Sequence, residues 1–321
     1  MKKKLAITLI CILAVFLIFF FIVWSAFWRA PKLNGVLAID KDNHTLTTTA
    51  DQIKILQLTD VQFENYVEAS IAIRAIDKVV KKANPDMIVF TGDMIDNHAR
   101  KRPLASFAKY MDKFGVPWAV TLGNHDYHAP IDMEVQCEIY ENTEFGLFEK
   151  GTVQGFHGNY NYNVVKDGQI VQTLFFMDSG IDGFTSAHVE WYNNTVDAVK
   201  SQNLGNKVGS FMFYHIPTEE ARSVAEKGSK PFKDEDGVLW EQVNAQETES
   251  EIFKAIKNSG FTTSIFFGHD HLNNAFLDYR GVKMCYGLKT GTNSYSNQDL
   301  QGGNLITLNI GGKTLIERIY V

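Results

Sequence analysis

Cysteine is scarce. The chain has three in 321 residues, Cys11, Cys137 and Cys285, with none of the close spacings that build zinc clusters or disulfide frameworks. At most Cys137 and Cys285 could pair, so redox and structural-zinc functions have little support. Basic charge is also short. Against 37 Asp and Glu stand 31 Lys and Arg, a net charge of -6, whereas a general nucleic-acid binder needs a basic surface. A small-molecule or protein substrate is the better expectation. Beyond the first thirty residues there is no internal repeat and no low-complexity run, and a hydrophobic content of 45% is enough to bury a substantial core.

Charge is missing altogether from Leu5 to Trp28 (LAITLICILAVFLIFFFIVWSAFW), 24 residues that suffice to cross a hydrocarbon layer roughly 30 Å thick. A cleaved signal peptide usually has a shorter apolar region and small residues at the cut. Here Ala26 and Ala30 each have a tryptophan two positions earlier, so a retained anchor is expected. Lys2, Lys3 and Lys4 place residues 1–4 in the cytoplasm and send the rest of the chain across, with Arg29 and Lys32 weakening that bias. Residues 29–50, with Pro31, Gly35 and the polar stretch KDNHTLTTTADQ, read as a stalk. Residues 51–321 read as the folded domain, on the extracytoplasmic side of the cell membrane.

Within that domain, strand and helix signals alternate. IKILQL (Ile53 to Leu58) is a β-rich apolar run. Ile73, Ile76, Val79 and Val80 fall at helical spacing within Ala69 to Ala83, and DMIVF (Asp86 to Phe90) is a second strand. A helix near Leu104 to Phe114 precedes PWAVTL. Further strands follow in TLFFMD, GSFMFYH, TSIFFGH and the tail LITLNIGGKTLIERIYV. The pattern is that of an α/β layered domain.

The strand ends carry the chemistry. They read Thr59-Asp60-Val61-Gln62, Thr91-Gly92-Asp93, Gly123-Asn124-His125-Asp126, His215, and Gly268-His269-Asp270-His271. A rigid sheet aims such residues from distant positions into one crevice. Carboxylate, amide and imidazole without thiolate suit a borderline or hard divalent ion such as Zn, Mn or Fe.

The ordered blocks D-x-Q, GD, GNHD, H and GHDH, spanning Asp60 to His271, resemble the calcineurin-like metallophosphoesterases, whose pattern is D-x-H, GD, GNH[DE], H, GHxH. FFMDSG, YHIPTEE and FFGHDHLNN are similar to the purple-acid-phosphatase-like branch. The resemblance implies a central β-sandwich flanked by helices and two divalent metal ions. Asp60 and His271 would hold the first ion, Asp93 would bridge, and Asn124, His215 and His269 would hold the second, with Asp270 pointing elsewhere. The implied reaction is hydrolysis of a phosphate ester by a hydroxide bridging the pair. His125 would stabilise the transition state or protonate the leaving oxygen, oriented by a hydrogen bond from Asp96.

Two positions depart from that pattern. Purple acid phosphatases proper carry a tyrosine three residues after the bridging aspartate; Asp96 stands there, so no purple colour is expected. Gln62 replaces a histidine of the first ion. Its carbonyl can coordinate but is a poorer donor than imidazole, so this ion should be held more weakly; Glu64 is the alternative donor, and a harder ion such as Mn or Mg the alternative occupant.

His44, His157 and His188 read as caps or satisfied turn residues. His98 and His128 lie close enough in sequence to touch a leaving group or to support ligands. Arg100, Lys101 and Arg102 read as a solvated charge run. Tyr127 to about Gly168 and Glu219 to Val243 are the expected substrate-shaping loops. Two functions remain: a membrane-anchored, metal-dependent phosphoesterase, or a catalytically weakened domain that binds a phosphorylated ligand without turnover. His125 and Asp96 favour the enzyme, since a binder needs no leaving-group acid.

Overall fold

The computed structural model describes residues 2–203, 208–227, 237–245 and 250–321. The three lysines and most of the uncharged run form a single helix, α1 (Lys2–Ser25), followed by β1 (Ala38–Asp40), β2 (Thr45–Thr48), β3 (Gln52–Leu58), α2 (Tyr66–Ala83), β4 (Met87–Thr91), α3 (Lys101–Met111) and β5 (Trp118–Thr121). Next come a short α4 (Asn124–His128), α5 (Met133–Glu141), β6 (Tyr160–Lys166), β7 (Gln169–Phe176), α6 (Ser186–Gln202), β8 (Gly209–Phe213) and α7 (Glu219–Lys227). The chain closes with α8 (Glu251–Ser259), β9 (Thr262–Phe267), β10 (Phe276–Tyr279), β11 (Val282–Tyr286), β12 (Gly302–Asn309) and β13 (Leu315–Tyr320).

The strands make two sheets, the expected sandwich. One has eight strands in the order β1-β2-β6-β7-β8-β9-β11-β10, the other five in the order β13-β12-β3-β4-β5. In the larger sheet β7, β8, β9 and β11 are parallel neighbours; in the smaller one β3, β4 and β5 are parallel. Strands covered on both faces must be apolar at every position, which is why these segments read FFM, FMFY and IFF. Along β8, Phe211 and Phe213 join the core cluster shared with the smaller sheet, while Met212 and Tyr214 join a second cluster with Tyr192 of α6 and Phe253 and Ile256 of α8.

The α2 helix shows how closely local signals are followed. Asn65 caps it, its side chain accepting from the amides of Val67 and Glu68, and Asn84 ends it in the left-handed conformation, just ahead of Pro85. Ile73, Ile76, Val79 and Val80 are all buried. A polar seam ties the two sheets together near their strand ends. Gln57 Nε2 donates to Thr91 Oγ1 and to Phe267 O, both at 3.0 Å. Asn304 Nδ2 donates to Gln57 Oε1 at 2.9 Å and to Tyr286 O at 2.8 Å.

The N-terminal segments differ from the sequence reading. The helix stops at Ser25, and Ala26 and Phe27, expected in the membrane-crossing run, are buried in the main core. Phe27 packs edge-on against Tyr66 and Tyr110, at 5.9 and 6.3 Å between centroids; Trp24 lies 5.2 Å from Tyr66; and Arg74 donates to Ile22 O at 2.6 Å. From Lys3 to Ile22 about 30 Å of helix remains, still enough to span. Residues 29–50 are not a stalk. Leu33 N donates to Phe114 O at 3.0 Å, and β2 adds to the larger sheet beside β6, with Leu46, fully buried, opposite Val164. A four-residue strand with only one apolar side chain is outweighed by turn residues in a local reading, and only its distant partner reveals it.

The expected loops also hold elements: Tyr127 to Gly168 contains α5 and β6, and Glu219 to Val243 begins with α7, while residues 228–236 lie outside the described residues. Cys137 and Cys285 are both buried free thiols. His188 is the satisfied residue anticipated. It is fully buried, Nε2 donates to Asp178 O at 2.8 Å, and Nδ1 accepts from Thr185 N at 3.0 Å.

Two stability tests follow from this packing. Phe27→Ala in the detergent-solubilised chain should lower the unfolding free energy by about 3 kcal/mol, whereas Trp28→Ala, at an exposed position, should change it by less than about 0.5 kcal/mol. Equal effects in chemical unfolding would mean the helix end is not docked. Burial of His188 lowers its pKa from 6.5 to about 4. The unfolded chain therefore takes up this proton first, and the stability His188 contributes is complete above about pH 6.5 and lost as pH falls toward 4. The difference in melting temperature between native protein and His188→Asn should shrink over that window; a constant difference would show that His188 does not titrate this way.

Candidate metal centre

Every strand end named in the sequence opens at one place between the sheets. Asp60 and Gln62 follow β3, Asp93 and Asp96 follow β4, Asn124 and His125 begin α4 after β5, His215 follows β8, and His269 and His271 follow β9. Four of these, Asp60, Gln62, Asp93 and His269, have positive φ angles of 53°, 50°, 51° and 77°. Such conformations cost of order 1–3 kcal/mol each in non-glycine residues and cluster where function over-determines the backbone. Glycine permits the tight approach: a Cβ on Gly123 would sit 2.2 Å from Asp93 Oδ1 and 2.7 Å from His215 Cδ2.

At the centre, donor atoms of Asp60, Asp93 and His271 lie within 4.8 Å of one another, all three residues buried. The imidazoles are held from behind. His271 Nδ1 lies 2.9 Å from Tyr295 O, with its ring stacked on Tyr295 at 4.2 Å, so Nδ1 carries the hydrogen and Nε2 faces Asp60 Oδ1 at 3.2 Å. His215 Nδ1 is likewise 2.8 Å from Thr91 O, and its Nε2 faces Asp93 Oδ2 at 3.2 Å. His269 Nδ1 approaches His215 Nε2 at 3.3 Å, and Asn244 Nδ2 lies 3.0 Å from His269 Nε2.

Imidazole nitrogens with their hydrogens on the far side, facing carboxylate oxygens, need positive charge between them. Burial alone would lower the pKa of His215, but Asp93 outweighs it, with Asp60 adding, and pushes it up to about 10. Burial would likewise raise Asp60, yet the hydrogen bond and charge of His271, with His215 and Lys289, hold it far below the usual carboxylate range. A divalent ion supplies the same charge. The structure fits one: Asn124 Oδ1 is buried without a hydrogen-bond donor and Asp60 Oδ1 faces the imidazole nitrogen of His271 at 3.2 Å, and a cation would engage both oxygens. Metal ligation requires neutral imidazoles whose other nitrogen donates outward, as it does in His215 and His271.

His125 stands at the rim. Its backbone N donates to Asp93 Oδ1 at 2.9 Å, its Nδ1 lies 2.7 Å from Asp96 Oδ1, and its Nε2 is turned to the cluster, 4.0 Å from Asp93 Oδ2. The Asp96–His125 hydrogen bond anticipated from the GDMID spacing is present. Its effect is to raise the pKa of His125 against burial, Asp96 being the main cause and Asp93 a further one. Asp126 ties this loop to its neighbour by accepting from Gly123 N at 2.8 Å and from Met94 N and Ile95 N at 3.1 and 3.2 Å.

Gln62 differs from the expectation. Its carbonyl does not face the carboxylates; Oε1 accepts from Lys289 Nζ, and the amide nitrogen lies 3.3 Å from Asp93 Oδ2. An ammonium can bond only to the oxygen, and that fixes the amide. Glu64 does not take over: its Oε1 accepts from His98 N at 3.2 Å. Asp270 points away, as expected, to Tyr286 OH at 2.6 Å. His98, His128 and Arg100 to Arg102 are exposed. Lys289, Tyr295 and Asn244 were not singled out in the sequence. For Lys289 there was one local signal, a charge between a buried strand and Thr290-Gly291.

A family model described as calcineurin-like phosphoesterase matches residues 53–273. The chain is 26% identical over 290 residues to a protein of Arabidopsis thaliana named probable inactive purple acid phosphatase 29, covering 76% of this chain and 73% of that one. To probable inactive purple acid phosphatase 28 of the same plant it is 27% identical over 268 residues, covering 74% and 66%. A crystal structure of a dimetal phosphatase from Danio rerio superposes with a TM-score of 0.56 at 11% identity, over 83% of this chain and 99% of that one, a likeness of fold. With the match extending over more than half of its length and taking in every strand end of the cluster, the chain belongs to the calcineurin-like phosphoesterase family.

Proposed function

We propose that this protein is a membrane-anchored, metal-dependent phosphoesterase whose domain faces away from the cytoplasm. The observation that carries the reading is the Asp96–His125 pair at 2.7 Å, aimed at a carboxylate and imidazole cluster. A domain that only binds phosphate has no use for a histidine held by a carboxylate in this way. Asp93, placed between His215 and the Asp60–His271 side, would be shared by two ions, with Asp60 and His271 on one and Asn124, His215 and His269 on the other. Bound divalent ions would neutralise phosphate oxygens and acidify a water.

The remaining work falls to the chain itself. Asp96 accepts from His125 Nδ1, fixing the ring and favouring its protonated form, so that Nε2–H is available to a leaving ester oxygen. Thr91 O and Tyr295 O hold the imidazoles of His215 and His271 in the orientation ligation requires. The anchor is supported by the length and composition of α1, and Lys2, Lys3 and Lys4 set its orientation.

The purified chain should hydrolyse an aryl phosphate mono- or diester when supplied with one of a series of divalent ions. Undiminished turnover after exhaustive chelation, or none with any ion, would overturn the reading. Among variants, Asp93→Asn should abolish metal binding measured by elemental analysis. His125→Ala should keep nearly all its metal while kcat falls roughly 10²- to 10⁴-fold, as for a lost general acid. Metal loss in His125→Ala would make that residue a ligand instead.

A further inference from the structure

One buried charge has no part in that scheme. Lys289 is 2% exposed, and lysine is almost never buried without partners. Its backbone is fixed against the metal loop: Thr290 N donates to Thr59 O at 2.9 Å and Gly291 N to Asp60 O at 3.2 Å. Gly291 is required for this approach, because a Cβ there would lie 2.0 Å from Val61 O. The ammonium donates to Asp60 O at 3.1 Å and to Gln62 Oε1.

These bonds decide what Gln62 can do. With its oxygen held by Lys289, it presents an NH2 group to Asp93 Oδ2 at 3.3 Å, and an amide NH2 has no lone pair to offer a cation. Among the described residues, Asp60, Asp93 and His271 form the donor group on the side of Asp60, whereas on the phosphoesterase reading Asp93, Asn124, His215 and His269 would make four on the other. The ammonium, when charged, also opposes a dication beside the two carboxylates by simple repulsion. Both effects act in one direction.

Resting on the phosphoesterase reading, we propose that Lys289 withholds the Gln62 carbonyl from the metal centre, so that the ion beside Asp60 is held by three protein groups and exchanges readily while its neighbour stays bound. Lys289 is thus a positioning residue that sets the affinity of one ion position.

The test is equilibrium titration of the metal-free full chain in detergent with Mn²⁺, read by electron paramagnetic resonance of the free ion, independent of turnover. Native protein should show a tight step and a looser one at least about tenfold weaker. Lys289→Met frees the carbonyl and removes the charge, and should tighten the loose step by about tenfold, the scale on which outer partners tune metal affinity, leaving the tight step alone. Adding Gln62→Leu should give back part of that gain. Gln62→Leu by itself should weaken the loose step by about tenfold without abolishing it, the cost of losing an outer hydrogen bond to Asp93 and not a ligand.

A loose step unchanged or weakened in folded Lys289→Met, or two equally tight steps in the native chain, would overturn the proposal. If Lys289→Met does not fold, Gln62→Leu decides: loss of the loose step would show Gln62 to be a ligand after all. Failure of the native chain to bind Mn²⁺ at all would instead remove the phosphoesterase reading on which the proposal stands.

Discussion

Two carboxylates buried side by side govern this molecule. Asp60 and Asp93 are each 1% exposed, with donor atoms within 4.8 Å of a common imidazole. Isolated charges cannot be kept out of water at that depth; they must be paired and hydrogen-bonded or they neutralise. Around this pair stand His215, His271 and the ammonium of Lys289, and backbone amides complete the shell, His125 N on Asp93 and His269 N on Asp60. A cluster of this kind contributes little to stability by itself. Its four positive-φ residues add strain that the rest of the fold must offset.

That offset comes from the sandwich. Parallel strands in each sheet run toward the same crevice, so five sequence blocks, with Asp60 and His269 209 residues apart, end beside one another. Gln57 and Asn304 of the smaller sheet bond the sheets directly behind the carboxylates, by donating to Phe267 O and Tyr286 O of the larger one. Thr91 then serves twice, its side chain accepting from Gln57 and its carbonyl orienting His215. Apolar packing on both faces of β8 and β9 holds these strands where a shift of one residue would point every ligand the wrong way.

Much of this was legible in the residues. Strand ends rich in Asp, Asn and His are read locally, and the three-residue step from Asp93 to Asp96 anticipated the contact with His125. What was missed depends on pairing across the chain. β2 is short and polar and gains its place only through β6, more than a hundred residues later. Phe27 belongs to an unbroken apolar run, and nothing in that run distinguishes a residue facing lipid from one facing Tyr66 and Tyr110. Lys289 lies beyond the last motif block, in a segment whose relevance comes from bonding to Thr59 and Asp60. Gln62 departs visibly from the family pattern, but its role depends on Lys289, the distant partner that turns its carbonyl around.

The two unforeseen features meet in one element. Trp24 and Phe27 dock on Tyr66, the first residue of α2, and α2 is capped by Asn65 at the end of the loop that carries Asp60, Gln62 and Glu64. Glu68 in the first turn accepts from Glu64 N at 2.8 Å, closing that loop onto the helix. The proposed anchor therefore packs against the helix that terminates the metal loop, with Arg74 two turns further on donating to the Ile22 carbonyl and the Ser25 hydroxyl. A flexible tether would leave the domain free to rotate above a membrane. An α1 followed directly by Ala26 and Phe27 in the domain core would instead hold the metal crevice in one orientation to a membrane, were α1 to cross one.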